Sequence, residues 1–186
     1  MNRMATLLLI FYSYLLYPVV TPLTVERVFT DLLVEEEELF VRAFVQGFKD
    51  IPHDILKIYD IPARARFVFE DERKQLHDKT KEIFFLRAIK DNQLVGLITF
   101  QTYGSDQIVY IRALAVDPAH MRTGVGTFLV SQCKEFIPSA KELVLATRSC
   151  NYGAIAFYKA LGFFEYDEVP YGWDPTLFIG LKYQIY

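Results

Sequence analysis

The stretch Leu114-Ala-Val-Asp-Pro-Ala-His-Met-Arg-Thr-Gly-Val-Gly-Thr127 constrains what this chain can fold into more than any other. An apolar run that reads as a buried strand ends at Val116, a proline loop follows, and Gly124 and Gly126 open a second apolar run with helical spacing. A helix start leaves several N–H groups without intrahelical acceptors, all pointing one way, and glycines let a ligand come close. Such a turn can cradle phosphate, and Arg122 adds a charge beside it. It is neither a Walker loop, because no Gly-Lys-[Ser/Thr] follows, nor a dinucleotide fingerprint, because Gly124-Val125-Gly126 lacks the third glycine. On its own a Gly-x-Gly helix start marks tight packing more often than a ligand.

The flanking elements predict a mixed α/β sheet. Apolar residues from Leu33 to Phe48 recur at helical spacing within Thr30–Lys49, with Glu35 to Glu38 on and around the exposed face. Pro52 and Pro62 punctuate the next region, and Asp71–Lys81 is charged enough to predict a solvated helix or loop. Strands are predicted at Ile83–Ile89, Leu94–Gln101 and Gln107–Val116, with turns at Lys-Asp-Asn-Gln and at Gly104-Ser105-Asp106. A helix over Gly124–Ile137, a strand over Glu142–Ala146, a helix over Asn151–Leu161 and closing strands at Phe163–Val169 and Thr176–Tyr186 complete the order. The expected fold is a mostly antiparallel sheet with one parallel crossover, flanked by helices.

A second motif lies about 25 residues beyond the first: Asn151-Tyr-Gly-Ala-Ile-Ala-Phe-Tyr-Lys-Ala-Leu-Gly-Phe163, a short helix that ends on Gly162 and passes into a strand. Together the two resemble the GNAT superfamily of N-acetyltransferases. Val116, Pro118, Gly124 and Gly126 match its acetyl-CoA motif, and Asn151, Ala154, Tyr158, Leu161, Gly162 and Phe163 match the motif that follows. The likeness is strong from about Ile83 to Phe163, compatible over the rest of 24–186, and does not extend to residues 1–23. One position departs: Met121 stands where the family has Arg or Gln, so that side chain cannot supply its usual contact to pyrophosphate.

The resemblance implies a GNAT fold, acetyl-CoA as cosubstrate, no metal, and direct attack of a free amine on the thioester. It implies that Leu114, Ala115 and Val116 hold the pantetheine and help polarise the carbonyl. It places Met121, Arg122, Thr123, Gly124, Val125, Gly126 and Thr127 around the pyrophosphate, and makes Tyr158 the acid that protonates the departing sulfur. A phenol with a pKa near 10 is protonated at neutral pH, as that role requires. The alternative is a non-catalytic acyl-CoA-binding or regulatory module of the same fold. Blander readings stand beside these roles. By periodicity Tyr158 belongs to a core face with Ile155 and Leu161, and Asn151 is either a helix N-cap or a cofactor contact. Arg112 interrupts an apolar strand face, either facing the cleft or paired at an edge. The glutamates Glu35–Glu38 would suit a cationic amine, yet such runs are usually solvated. No residue declares itself the general base.

Composition sets the outer bounds. The 186 residues are 52% hydrophobic and 23% charged, which excludes disordered and low-complexity classes. A net charge of -3 gives no case for a nucleic-acid partner, and Cys133 and Cys150 show no metal-ligand spacing with a histidine. The expected partner is a small-molecule or protein amine, the expected state a monomer or a homodimer paired through the last strand, and the expected location cytoplasmic. Residues 1–23 form an apolar segment without a charge from Met4 to Val25, interrupted by Pro18 and Pro22. A helix over Met4–Tyr17 spans roughly 21 Å at about 1.5 Å per residue, short of a bilayer. It is read as a docked helix, with a membrane tether or an overcalled start as the other possibilities.

Overall fold

The computed structural model describes residues 22–29, 32–58, 60–78 and 82–185. Strands β1 (Thr24–Val28), β2 (Ile83–Lys90), β3 (Gln93–Tyr103) and β4 (Ser105–Val116) follow one another antiparallel. The β2–β3 turn is Asp91-Asn92, both left-handed with φ of 52° and 59°, a conformation these two residue types tolerate and a tight hairpin demands. The rest of the sheet is β5 (Glu142–Arg148), β6 (Phe164–Tyr166) and β7 (Phe178–Gln184), in the spatial order β1-β2-β3-β4-β5-β7-β6. Among the described residues only β4 and β5 run parallel. Between the strands lie helices α1 (Val34–Phe48), α2 (His53–Leu56), α3 (Ile61–Leu76), α4 (Val125–Phe136) and α5 (Tyr152–Ala160).

Alternation along β2 divides the core between two faces. Phe84 and Leu86 turn toward α4 and α5, where Leu129, Cys133 and Tyr158 are buried. Phe85 turns the other way, onto Leu39 and Phe40 of α1 and Ala65 and Phe69 of α3. A third, smaller cluster joins Phe48, Leu56 and Cys150 where α1 and α2 meet the end of β5.

The structure departs from the sequence reading at several points. The pairing of β1 with β2 was not anticipated, because the apolar run before Glu26 masks a strand of alternating burial. Helix α1 starts at Val34, and within its acidic run Glu36 is 1% exposed and ion-paired with Arg87. The charged stretch after Asp71 is likewise not wholly solvated: α3 carries it to Leu76 and buries Glu72. Strand β6 is only three residues long, and β7 lies between β5 and β6. The last strand is therefore not an edge, which removes the basis for pairing two copies through it. The reading of residues 1–23 lies, except for Pro22 and Leu23, outside the described residues. Among the described residues no helix is long and apolar enough to cross a membrane.

Candidate active site

Parallel pairing of β4 with β5 stops at Tyr110↔Val144, while β4 runs on to Val116 and β5 to Arg148. The two strands separate at their carboxyl ends, the position where open α/β sheets bind ligands. β3 keeps its partners on the other edge of β4, with Leu114 opposite Ile98, Ala115 opposite Leu97 and Val116 opposite Gly96. In an antiparallel ladder alternate residues turn their N–H and C=O away from the partner, so β4 offers free backbone groups to the crevice. A bulge marks the same place: Thr99 pairs with Ala113 and Phe100 with Ile111, leaving Arg112 as the extra residue.

The loop from β4 to α4 is pinned at successive points. The Asp117 N–H donates to the Val95 carbonyl, Asp117 Oδ1 accepts from the Ala119 N–H at 3.0 Å, and the Thr123 hydroxyl donates to the His120 carbonyl at 2.7 Å. Arg42 of α1 reaches across to Asp117 Oδ2 at 2.7 Å. Burial pushes the Asp117 carboxyl up, but hydrogen bonds from Arg42 and the Ala119 N–H outweigh it and hold the group below its ordinary value. Met121 is extended, Arg122 is left-handed with φ 62° and exposed, and Gly124 caps α4 with φ 91°. The first N–H bonded back along the helix is that of Phe128, to Gly124. The N–H groups of Val125, Gly126 and Thr127 precede it and face out of the helix end.

The two glycines serve different ends. A Cβ at Gly124 would meet nothing, and the residue is needed for its positive φ. A Cβ at Gly126 would lie 3.0 Å from the Phe157 ring, so this glycine lets α5 pack against the first turn of α4. Asn151 caps α5, its Oδ1 accepting from the Ala154 N–H at 3.1 Å, as the bland reading expected. Tyr158 is buried against Phe157 and Phe163, ring centroids at 5.0 and 5.2 Å. Burial, chiefly, with Cys133 and Tyr110 adding to it, pushes its hydroxyl well above the ordinary phenol range.

Across the sheet, a polar network that the sequence did not disclose fills the space beside the bulge. Arg112 donates Nε and Nη2 to the two Glu72 carboxylate oxygens, both at 2.9 Å, and Nη1 to Gln101 at 3.2 Å. The Thr99 hydroxyl completes Glu72 at 2.8 Å, and Gln101 in turn bonds Tyr171. Burial works against the Arg112 charge, yet the Glu72 carboxylate holds its pKa above the ordinary value. Arg112 is therefore paired in the interior rather than at an edge. Tyr171, left-handed at φ 60°, packs with its ring tilted against those of Tyr103 and Tyr110, and burial pushes the Tyr110 hydroxyl up to about 12 against the Trp173 indole and the Arg112 charge. The β6–β7 connection thus folds back beside β4. Nothing in local spacing links Glu72 to Arg112 or Arg42 to Asp117, so no sequence signal could have found these pairs. Among the described residues no group of three or more His, Cys, Asp or Glu could hold a metal.

A sheet that opens between two parallel strands, with a helix N-terminus beside the opening, is a place where open α/β folds receive phosphate-bearing ligands. The sequence profile of the acetyltransferase (GNAT) family matches residues 48–163, and the chain belongs to that family. No curated protein matches the sequence. Among solved structures, the PaiA N-acetyltransferase of Thermoplasma acidophilum in complex with coenzyme A is similar, with 18% identity, a TM-score of 0.67, and coverage of 87% of this chain and 99% of that one. PH1933 of Pyrococcus horikoshii OT3 matches with 17% identity, a TM-score of 0.63, and coverage of 89% and 99%. The N-acetyltransferase PseH of Campylobacter jejuni matches with 22% identity, a TM-score of 0.52, and coverage of 87% and 97%. At these identities the likeness is one of fold.

Proposed function

We propose that this chain transfers an acetyl group from acetyl-CoA to an amine by direct attack, without a covalent enzyme intermediate or a metal. The observation that carries the reading is the separation of β4 from β5 beside the α4 N-terminus, with Tyr158 on the adjacent helix. In this reading the pantetheine lies along Leu114, Ala115 and Val116, taking the place of the missing β5 pairing. The pyrophosphate sits over Met121 to Thr127, met by the N–H groups at the start of α4 and by the helix dipole. Asn151 contributes by fixing the start of α5.

The chemistry follows from charge development. Attack by the free amine puts negative charge on the thioester oxygen, which fixed backbone N–H groups of β4 stabilise without reorganising. Collapse expels a thiolate, and Tyr158 returns a proton to it. Burial keeps the Tyr158 phenol protonated at neutral pH, and the same dry surroundings raise the proton affinity of the leaving thiolate. The acceptor is a small-molecule or protein amine, nucleic acid is not a partner, and the protein acts in the cytoplasm.

Met121 favours a second reading, a module that binds acyl-CoA without turning it over. Release of CoA thiol measured over a panel of amines separates the two. The acetyltransferase reading expects release that depends on both substrates and falls about 100-fold in Tyr158→Phe with the KM for acetyl-CoA little changed. Tight acetyl-CoA binding with no release on any amine would establish the module instead.

A further inference from the structure

Two arginines lie on the strands that border the crevice, Arg112 on β4 and Arg148 on β5, and the fold treats them differently. Arg112 is held by Glu72 through both carboxylate oxygens. Arg148, the last residue of β5, has no such partner: its Nη2 donates to the Leu56 carbonyl, and its Nε is buried without a hydrogen bond. No ion pair among the described residues involves it. Its guanidinium lies 5.3 Å over the ring of Phe178, which packs at 4.9 Å against the half-exposed Trp173. Trp173 in turn approaches Tyr110 on β4. Arg148 therefore stands at the carboxyl end of β5, the strand that faces β4 across the opening, with its guanidinium against the aromatic rings of the β7 side and no carboxylate paired with it.

A buried guanidinium donor without an acceptor is costly, and a planar fork suits carboxylate or phosphate. We propose that Arg148 binds an anionic group, carboxylate or phosphate, on the amine acceptor, so that the substrates are amines carrying a negative charge. A purely cationic amine would meet an uncompensated positive charge there. The assignment rests on the acetyl-transfer reading for the orientation of the amine, but binding can be followed without turnover. Trp173 is the only tryptophan in the chain, and its fluorescence reports on this wall directly.

The experiment titrates the full-length protein with two matched pairs, phenylalanine against phenethylamine and O-phosphoethanolamine against ethanolamine, and follows Trp173 emission. The anionic member of at least one pair should saturate at a concentration ten or more times lower than its counterpart. Which pair shows the preference distinguishes carboxylate from phosphate. Arg148→Gln should bring both members of that pair to the same midpoint, and Arg148→Lys should keep part of the preference. Equal midpoints in the unaltered protein, preference for the uncharged-tail amine, or no response to any probe would overturn the proposal. So would an Arg148→Gln variant that weakens both members by the same factor, which is what a purely structural tie to Leu56 predicts. Binding with this preference but no thiol release would leave Arg148 in place and reject acetyl transfer.

Discussion

The two halves of the crevice are built on different principles. The half proposed to hold the cofactor, from the end of β4 through α4 to α5, is assembled from consecutive residues and presents backbone: free N–H groups, a left-handed Gly124 and a glycine contact between two helices. The half proposed to receive the acceptor is assembled from side chains far apart in the chain, Glu72 on Arg112, Gln101 on Tyr171, Arg148 on Leu56 and Phe178. A backbone site tolerates change in its side chains, so in the proposed reading Met121 can stand where the family resemblance expects Arg or Gln. A side-chain site fails when one partner is lost.

That contrast orders the expected effects. Glu72→Ala would leave Arg112 buried with only the longer contact to the half-exposed Asp71 at 3.7 Å, and removal of one member of such a buried pair costs up to about 3–5 kcal/mol. Urea unfolding should show that loss, and a loss under about 1 kcal/mol would mean that Asp71 and solvent compensate the Arg112 charge in place of Glu72. Gly126→Val should cost about 1–3 kcal/mol, because the new atoms meet the Phe157 ring. Pairing it with Phe157→Leu should recover much of the loss in the same assay, whereas a Gly124 substitution should not be rescued, since there the backbone angle is at fault.

The smallest effect concerns Arg42 and Asp117. This half-exposed pair contributes at most about 1 kcal/mol. Asp117 is held below its ordinary pKa, so its contribution is present above about pH 4 and fades as pH falls through the lowered value. Arg42→Met should remove up to that amount of stability at neutral pH, flatten the acid limb of the profile, and leave stability below the lowered pKa almost unchanged.

The same division explains what could be read from the sequence. Gly124, Gly126, Asn151 and Tyr158 lie in two short segments whose spacing is local, so the strand–loop–helix signal exposed the loop into α4 and the start of α5 directly. The β2–β3 hairpin and the single parallel crossover were legible for the same reason, in turn chemistry and in the change of period from two to 3.6. Glu36 and Glu72 were misread as solvated because a run of like residues carries no mark of the one that finds an arginine across the sheet. Strand β1 was hidden by the apolar residues that precede it, and the interior place of β7 by the fact that sequence order does not give sheet order.

Met121→Arg tests the central claim most directly, because it adds a contact rather than removing one. If the loop from Met121 to Thr127 receives the pyrophosphate of acetyl-CoA, the new guanidinium should tighten acetyl-CoA binding by about tenfold in calorimetry, with the gain shrinking as salt rises. Unchanged affinity, or no acetyl-CoA binding in either protein, would place the cofactor elsewhere and contradict the account.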